Sequence, residues 1–187
     1  MRFLILLLSL TAAATLLPAQ SDTLFLQNPS FEDLPRHSKA PIGWSDCGPE
    51  GESPPDVHPT GDFGVTQPAF HGATYLGLVV RDNGTWERIG QRLVRPLAAG
   101  QCYQLSGVLG QSPVYTSLSR KTGQQVNYAG PVLLRVWGCT ANCRDQALLA
   151  VTRLDDPSHW ERHTLTFRAP IRLSHLLLEA YYVPEEF

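Results

Sequence analysis

The chain holds a single methionine and no window with a sustained helical period and end caps, which excludes a helix bundle. Basic residues never cluster. Arg81, Arg88, Arg92, Arg95, Arg144, Arg153 and Arg162 stand singly, and the formal net charge is -2. That distribution excludes a nucleic-acid partner. Beyond residue 20 no apolar run approaches the roughly 20 residues that cross a bilayer, so no membrane span is expected. The motifs G-x-S-x-G and H-E-x-x-H are missing, as is a glycine-rich phosphate loop between strand and helix. The histidines at 37, 58, 71, 159, 163 and 175 lack metal-ligand spacing. Asp82 and Glu87 are the nearest thing to a glycosidase pair, but they flank a tight turn, where solvation and turn formation explain them. The sequence therefore predicts no enzyme and no cofactor.

What is present begins with the leader. Met1-Arg2 carries one positive charge, residues 3–17 read FLILLLSLTAAATLL, and Leu17-Pro18-Ala19 precedes Gln20. This is the layout of a secretory signal peptide, residues 1–19, cut after Ala19. A secreted or cell-surface location follows. No cysteine lies at the cut, which argues against a lipid anchor there. The remaining chain suits one domain, expected over residues 22–182, with residues 183–187 as a short tail.

Four cysteines in an oxidising compartment suggest two disulfides. Three pairings are open, and sequence alone does not choose among them. The close pair in GCTANCR, Cys139 with Cys143, would close a small loop at a strand end. That leaves Cys47 for Cys102, and these two pairs are the expectation. A four-thiolate zinc site is disfavoured, because its usual close cysteine pairs are missing.

Fifteen glycines and fifteen prolines announce many turns. Residues 32–71 are dense in punctuation (PRHSKAP, CGPEGESPP, HPTGDFG), yet Trp44, Phe63, Val65 and Phe70 recur as packing anchors. A loop of that size in a compact domain is functional or stapled down. From Thr74 the pattern turns to strand: 75–81, 85–93, 102–109, 133–137, 147–153, 161–167 and 174–182. Asp82-Asn83-Gly84 reads as the tight turn joining the first two. Eight or nine short strands predict an all-β fold, a two-sheet sandwich. Alternation on 132–138 assigns Val132, Leu134 and Val136 to the core, and Leu133, Arg135 and Trp137 to the other face.

Several blocks together resemble a known family: NPSFE (28–32), PIGWSDCG (41–48), SPPDVHP (53–59), the long run from Tyr75 to Ser106, VNYAGPVLLRVWG (126–138), and WERHTLTF with LLLEAYY (160–182). They are similar to exported jelly-roll domains of secreted, surface or gliding-associated proteins of Bacteroidetes-type bacteria. The resemblance implies a galactose-binding-like jelly roll related to carbohydrate-binding modules. It also implies half of a structural calcium site at Asn28 and Glu32, whose second half, an aspartate further on, has no counterpart. Members continue past the LEAYY-type strand, whereas this chain stops at Val183-Pro184-Glu185-Glu186-Phe187.

The functional expectation is a non-catalytic extracellular module that binds glycan or another extracellular polymer. Its candidate ligand residues are Trp86 with Arg81, Asp82 and Asn83, then Tyr115, then Arg135 with Trp137. An aromatic face stacks on sugar C–H groups while polar neighbours read hydroxyls. The competing reading of Trp86 and Trp137 is that they pack into the protein itself. The rival function is an adhesion or assembly domain that meets a surface protein through an open sheet edge. A monomer or weak dimer is expected, since an edge alone buries little area.

Overall fold

A computed structural model of the protein describes residues 22–141, 143–154 and 159–183, with the side chains of residues 145 and 146 excepted. The leader assigned to residues 1–19 lies outside the described residues, as does all of the tail beyond Val183. The described chain is all-β, with eleven strands and a single 3-10 turn, Asp62–Gly64. β1 is Ser45–Asp46, β2 Asp56–His58, β3 Tyr75–Gly77, β4 Arg88–Leu97 and β5 Cys102–Leu109. β6 is Thr116–Leu118, β7 Gln125–Asn127, β8 Val132–Ala141, β9 Arg144–Leu154, β10 Glu161–Arg168 and β11 Leu173–Tyr182.

Five strands form the main antiparallel sheet, in the order β1-β4-β11-β8-β9. Three two-stranded sheets accompany it: β10-β5, β2-β3 and β6-β7. The surplus over the sequence prediction is β1, β2, β6 and β7, none longer than 3 residues and all set in stretches that read as loop. The short apolar run TLFLQ at 23–27 forms no strand.

The largest apolar cluster joins Leu93 and Leu97 of β4, Val136 of β8, and Leu173 and Leu176 of β11 to Phe167 of β10 and to Ala169. Tyr103 and Leu105 of β5 pack against the same cluster. The β5–β10 pair thus shares one core with the main sheet. Burial of such side chains stabilises by about 25 cal/mol per Å² of apolar surface.

Face assignment on β8 needs correction. Val136 is fully buried as predicted, but so is Leu133, at 3% exposure, while Trp137 and Arg135 are only partly exposed. The register of β8 with β11 is unbroken from 132 to 139, so the strand alternates and both of its faces carry buried residues. On the face read as open, Trp137 packs against the cluster of Cys47, Cys139, Leu177 and Cys143, and Arg135 lies on the Tyr181 ring. Among the four anchors assigned to 32–71, Trp44 and Val65 are buried, whereas Phe70 is 57% exposed.

The disulfide expectation is also overturned. Cys47 is bonded to Cys143 across 96 positions, which rules out both expected pairs. Cys102 is left as an exposed thiol. Cys139 is buried in one cluster with Cys47, Cys143, Leu177 and Trp137. The reason lies in sheet order. Cys47 follows edge strand β1, with its N–H donating to Arg88 O at 3.0 Å. Cys143 sits at the tip of the β8–β9 hairpin, where Ala141 pairs Arg144. Beyond β1 the chain turns over the sheet, so that Cys47 lies on Gly90 of β4 and Leu177 of β11 and meets Cys143 there. Proximity in sequence favoured Cys139 for Cys143, and tertiary packing decided otherwise.

Candidate functional site

A cavity of about 620 Å³ lies where β3, β5, β8 and β11 meet. Aliphatic side chains make most of its wall: Leu76, Leu78, Val108, Leu109, Leu134, Leu154, Leu178 and Ala180. Tyr75, Tyr115, Tyr128, Trp160 and Tyr182 add aromatic surface. Its volume falls in the roughly 300–1,000 Å³ range of small-molecule sites, and few polar groups in a mainly apolar wall is the usual composition.

Two of those polar groups are unsatisfied. His58 is 1% exposed, and neither Nδ1 nor Nε2 has a hydrogen-bond partner. Gln111 is 7% exposed; its amide N–H groups donate to Ala129 O at 3.0 Å and Gly130 O at 2.5 Å, but Oε1 accepts nothing. Buried polar atoms are almost always paired, so two such residues on one cavity wall are informative. The His58 ring is held by β2 against Tyr75, with centroids 5.7 Å apart, and stands edge-on to Tyr115. Trp160 donates to Pro68 O at 2.9 Å and meets Tyr75 edge-on at 5.1 Å, so both rings are fixed in the wall.

Behind the wall lies a buried ionic layer. Asp56 accepts from Ser38 N at 2.8 Å and from Tyr115 OH at 2.9 Å, and its carboxylate is 3.6 Å from His58 Nε2. Burial first, then the charge of Asp56, pushes the Tyr115 hydroxyl pKa far above its ordinary value. Burial likewise raises Tyr75 to about 12. Glu87 accepts from Val79 N at 3.1 Å and from the Arg81 guanidinium. Its pKa is nevertheless pushed up to about 8, because burial, reinforced by Asp56, outweighs the pull of Arg81.

A second, smaller cavity of about 100 Å³ adjoins the first. Arg81, Asp82, Tyr115 and Tyr128 line both, and Ser53, Asn83, Ser117, Leu118 and Arg120 complete the smaller one. Asp82 accepts from Ser119 Oγ at 2.7 Å and from Tyr128 OH at 3.0 Å. Those hydrogen bonds, that of Ser119 foremost, hold its carboxyl below the ordinary value. Asn83 donates to Glu52 Oε1 at 3.0 Å and accepts from Thr85 Oγ1 at 2.7 Å. The turn 82–84 carrying both closes as read from sequence, with Arg81 N donating to Thr85 O at 2.9 Å and Gly84 at φ 80°.

The sequence-derived ligand residues therefore divide. Arg81, Asp82, Asn83 and Tyr115 reach a cavity wall. Trp86, Arg135 and Trp137 line neither cavity and converge instead on Glu179, which is 1% exposed. Trp86 Nε1 donates to Glu179 Oε2 at 2.8 Å, Trp137 Nε1 to Oε1 at 2.8 Å, and Arg135 Nε to Oε1 at 2.5 Å. The Arg135 guanidinium lies 3.2 Å from the Tyr181 ring centroid and 5.1 Å from that of Trp137. Sequence reasoning missed His58, Gln111 and Trp160. The signal for Glu179 was a lone acid in the apolar run LLLEAYY, since acids are rarely fully buried unless paired.

Asn28 and Glu32, the residues of the expected half calcium site, are engaged with each other and with neighbouring backbone. Asn28 Oδ1 accepts from Glu32 N at 2.8 Å, and its Nδ2 donates to Glu32 O at 3.0 Å and Ile42 O at 2.9 Å. Glu32 accepts from Ala73 N at 3.1 Å. These hydrogen bonds tie residues 28–32 to Ile42 and Ala73. Among the described residues no cluster of three His, Cys, Asp or Glu is placed to hold a metal.

No protein-family model and no curated protein matches this chain. Among solved structures it has a distant similarity to the enzymatically active domain of tailspike protein 4 from Bacteriophage CBA120. The TM-score is 0.41 at 12% identity, over 74% of this chain and 17% of that one.

Proposed function

We propose that the protein is a non-catalytic, exported binding module for glycan, built on a galactose-binding-like jelly roll. On this reading the main sheet and the β5–β10 pair are the two layers of the sandwich. The observation that carries the function is the cavity with His58, whose ring nitrogens make no hydrogen bond, and Gln111, whose Oε1 accepts none. The reading moves the ligand away from Trp86 and Trp137, whose indole N–H groups are taken by Glu179. It keeps Arg81, Asp82, Asn83 and Tyr115 as wall residues and adds Tyr128 and Trp160. A glycan array probed with the exported protein tests it. Binding that falls at least tenfold in a folded Trp160→Ala variant, and survives in Trp86→Phe, is the expected result. An empty array defeats the glycan reading.

The rival assembly reading has one observation in its favour. β9 is an edge strand of 11 residues in the main sheet, with Leu148 49% exposed along it. Such an edge accepts a partner's strand by main-chain hydrogen bonds. Light scattering after size exclusion decides this. A concentration-dependent dimer that Leu148→Lys abolishes would favour assembly.

A further inference from the structure

The ligand class can be narrowed, on the reading that this module binds a ligand at the cavity. The space of about 620 Å³ is a half-open cleft of the size that takes a small molecule. Most of its wall suits the apolar part of a ligand and not the hydroxyls of a sugar. Leu78, Val108, Leu134, Leu154 and Leu178 offer no hydrogen-bond partners, and each buried hydroxyl without one is costly. An apolar body suits this wall, with one or two hydrogen-bonding groups to meet His58 and Gln111 Oε1.

The adjoining cavity has the opposite character. Ser53, Asn83, Ser117, Leu118 and Arg120 line it, together with the shared Arg81, Asp82, Tyr115 and Tyr128. Its charges balance: Arg120 lies 3.1 Å and Arg81 3.8 Å from Glu52, and Asp82 lines the same cavity. A charged ligand group would find no uncompensated partner there, whereas sugar hydroxyls would find donors and acceptors.

We propose that the protein binds a neutral amphiphile of the glycolipid or alkyl-glycoside class, with its apolar part in the large cavity and its hydroxylated head at the small polar one. The shared residues Asp82 and Tyr128 mark the junction between the two parts.

Two probes separate the halves of this proposal. The fluorophore N-phenyl-1-naphthylamine, neutral and apolar, reports the large cavity. Octyl glucoside below its micelle concentration, octanol and glucose then compete for the site. The expected result is enhanced probe fluorescence, displaced by octyl glucoside at a concentration at least tenfold below that needed of octanol or glucose. Leu134→Trp, which fills the cavity, should abolish the signal while circular dichroism remains that of the wild type. Should that variant misfold, Arg120→Ala, at the half-exposed rim of the small cavity, serves instead. It should weaken octyl glucoside about tenfold and leave the fluorophore unchanged. Absence of probe binding, or octanol competing as well as octyl glucoside, overturns the proposal. Glycans bound on an array without any probe signal would overturn the amphiphile and leave the glycan reading standing. Octyl glucoside bound alongside an empty array would support the amphiphile and remove the free-glycan reading.

Discussion

The His58 imidazole occupies the space in which a side chain at Gly77 would begin: a Cβ there would lie 2.5 Å from His58 Cδ2. Gly77 ends β3, directly across from Asp56 of β2, and its missing side chain lets the ring lie against the strand at the cavity wall. Gly77→Ala should therefore push His58 from its place. Overpacking of this kind costs about 1–3 kcal/mol. Chemical denaturation should show that loss, and ligand binding should weaken with it. Unchanged stability would mean that the ring is not confined as described.

Glu179 gathers three donors from strands and turns distant in sequence. Removing its charge leaves the half-buried Arg135 without its carboxylate and two indole N–H groups without acceptors. Breaking a buried pair on one side costs about 3–5 kcal/mol. Glu179→Ala should lower the denaturation midpoint accordingly and shift tryptophan emission, since Trp86 and Trp137 both lose their partner. A loss under about 1 kcal/mol would contradict the role given to this residue.

The Cys47–Cys143 bond closes a long loop, with a sequence separation of 96. Loop-closure entropy places its contribution at about 4–5 kcal/mol. Peptide mapping of the unreduced protein should recover this cross-link, with Cys102 open to alkylation. A Cys47–Cys102 or Cys139–Cys143 peptide would restore the pairing read from sequence.

Glu87 should make stability fall as pH rises. Its pKa goes from 4.5 to about 8 on folding, so the native state keeps a proton that the unfolded chain loses between those values. The contribution is complete below about 4.5 and is lost progressively up to about 8. The slope is about 1.4 kcal/mol per pH unit inside that window for this one group. Glu87→Gln cannot titrate, so the stability difference between wild type and variant should shift steadily in the variant's favour from pH 5 to pH 8. A difference independent of pH would contradict the assignment.

Regular strands were legible where local pattern and packing agree. β5 begins and ends where the apolar run 102–109 does, and β10 and β11 differ from their predicted spans by a residue at one end. The loop 82–84 was legible because glycine at positive φ is a local requirement. What escaped was decided across long separations. Trp86 and Glu179 are 93 positions apart, and nothing near Trp86 says that its indole has a buried acceptor. Cys143 reaches Cys47 only after β4, β11 and β8 are laid side by side. His58 sat in a proline-rich stretch, SPPDVHP, without any periodic pattern to mark it as interior. The cavity itself is a relation among four strands, so no single segment carries its signature.

The central claim is that a ligand fills the space beside His58. Nitrogen NMR of the imidazole rings tests it most directly, because the His58 nitrogens have no hydrogen-bond partner within the protein. Adding octyl glucoside should shift both His58 ring nitrogens, while the exposed His37 and His71 keep theirs. Saturable binding with the His58 resonances unmoved would contradict the account.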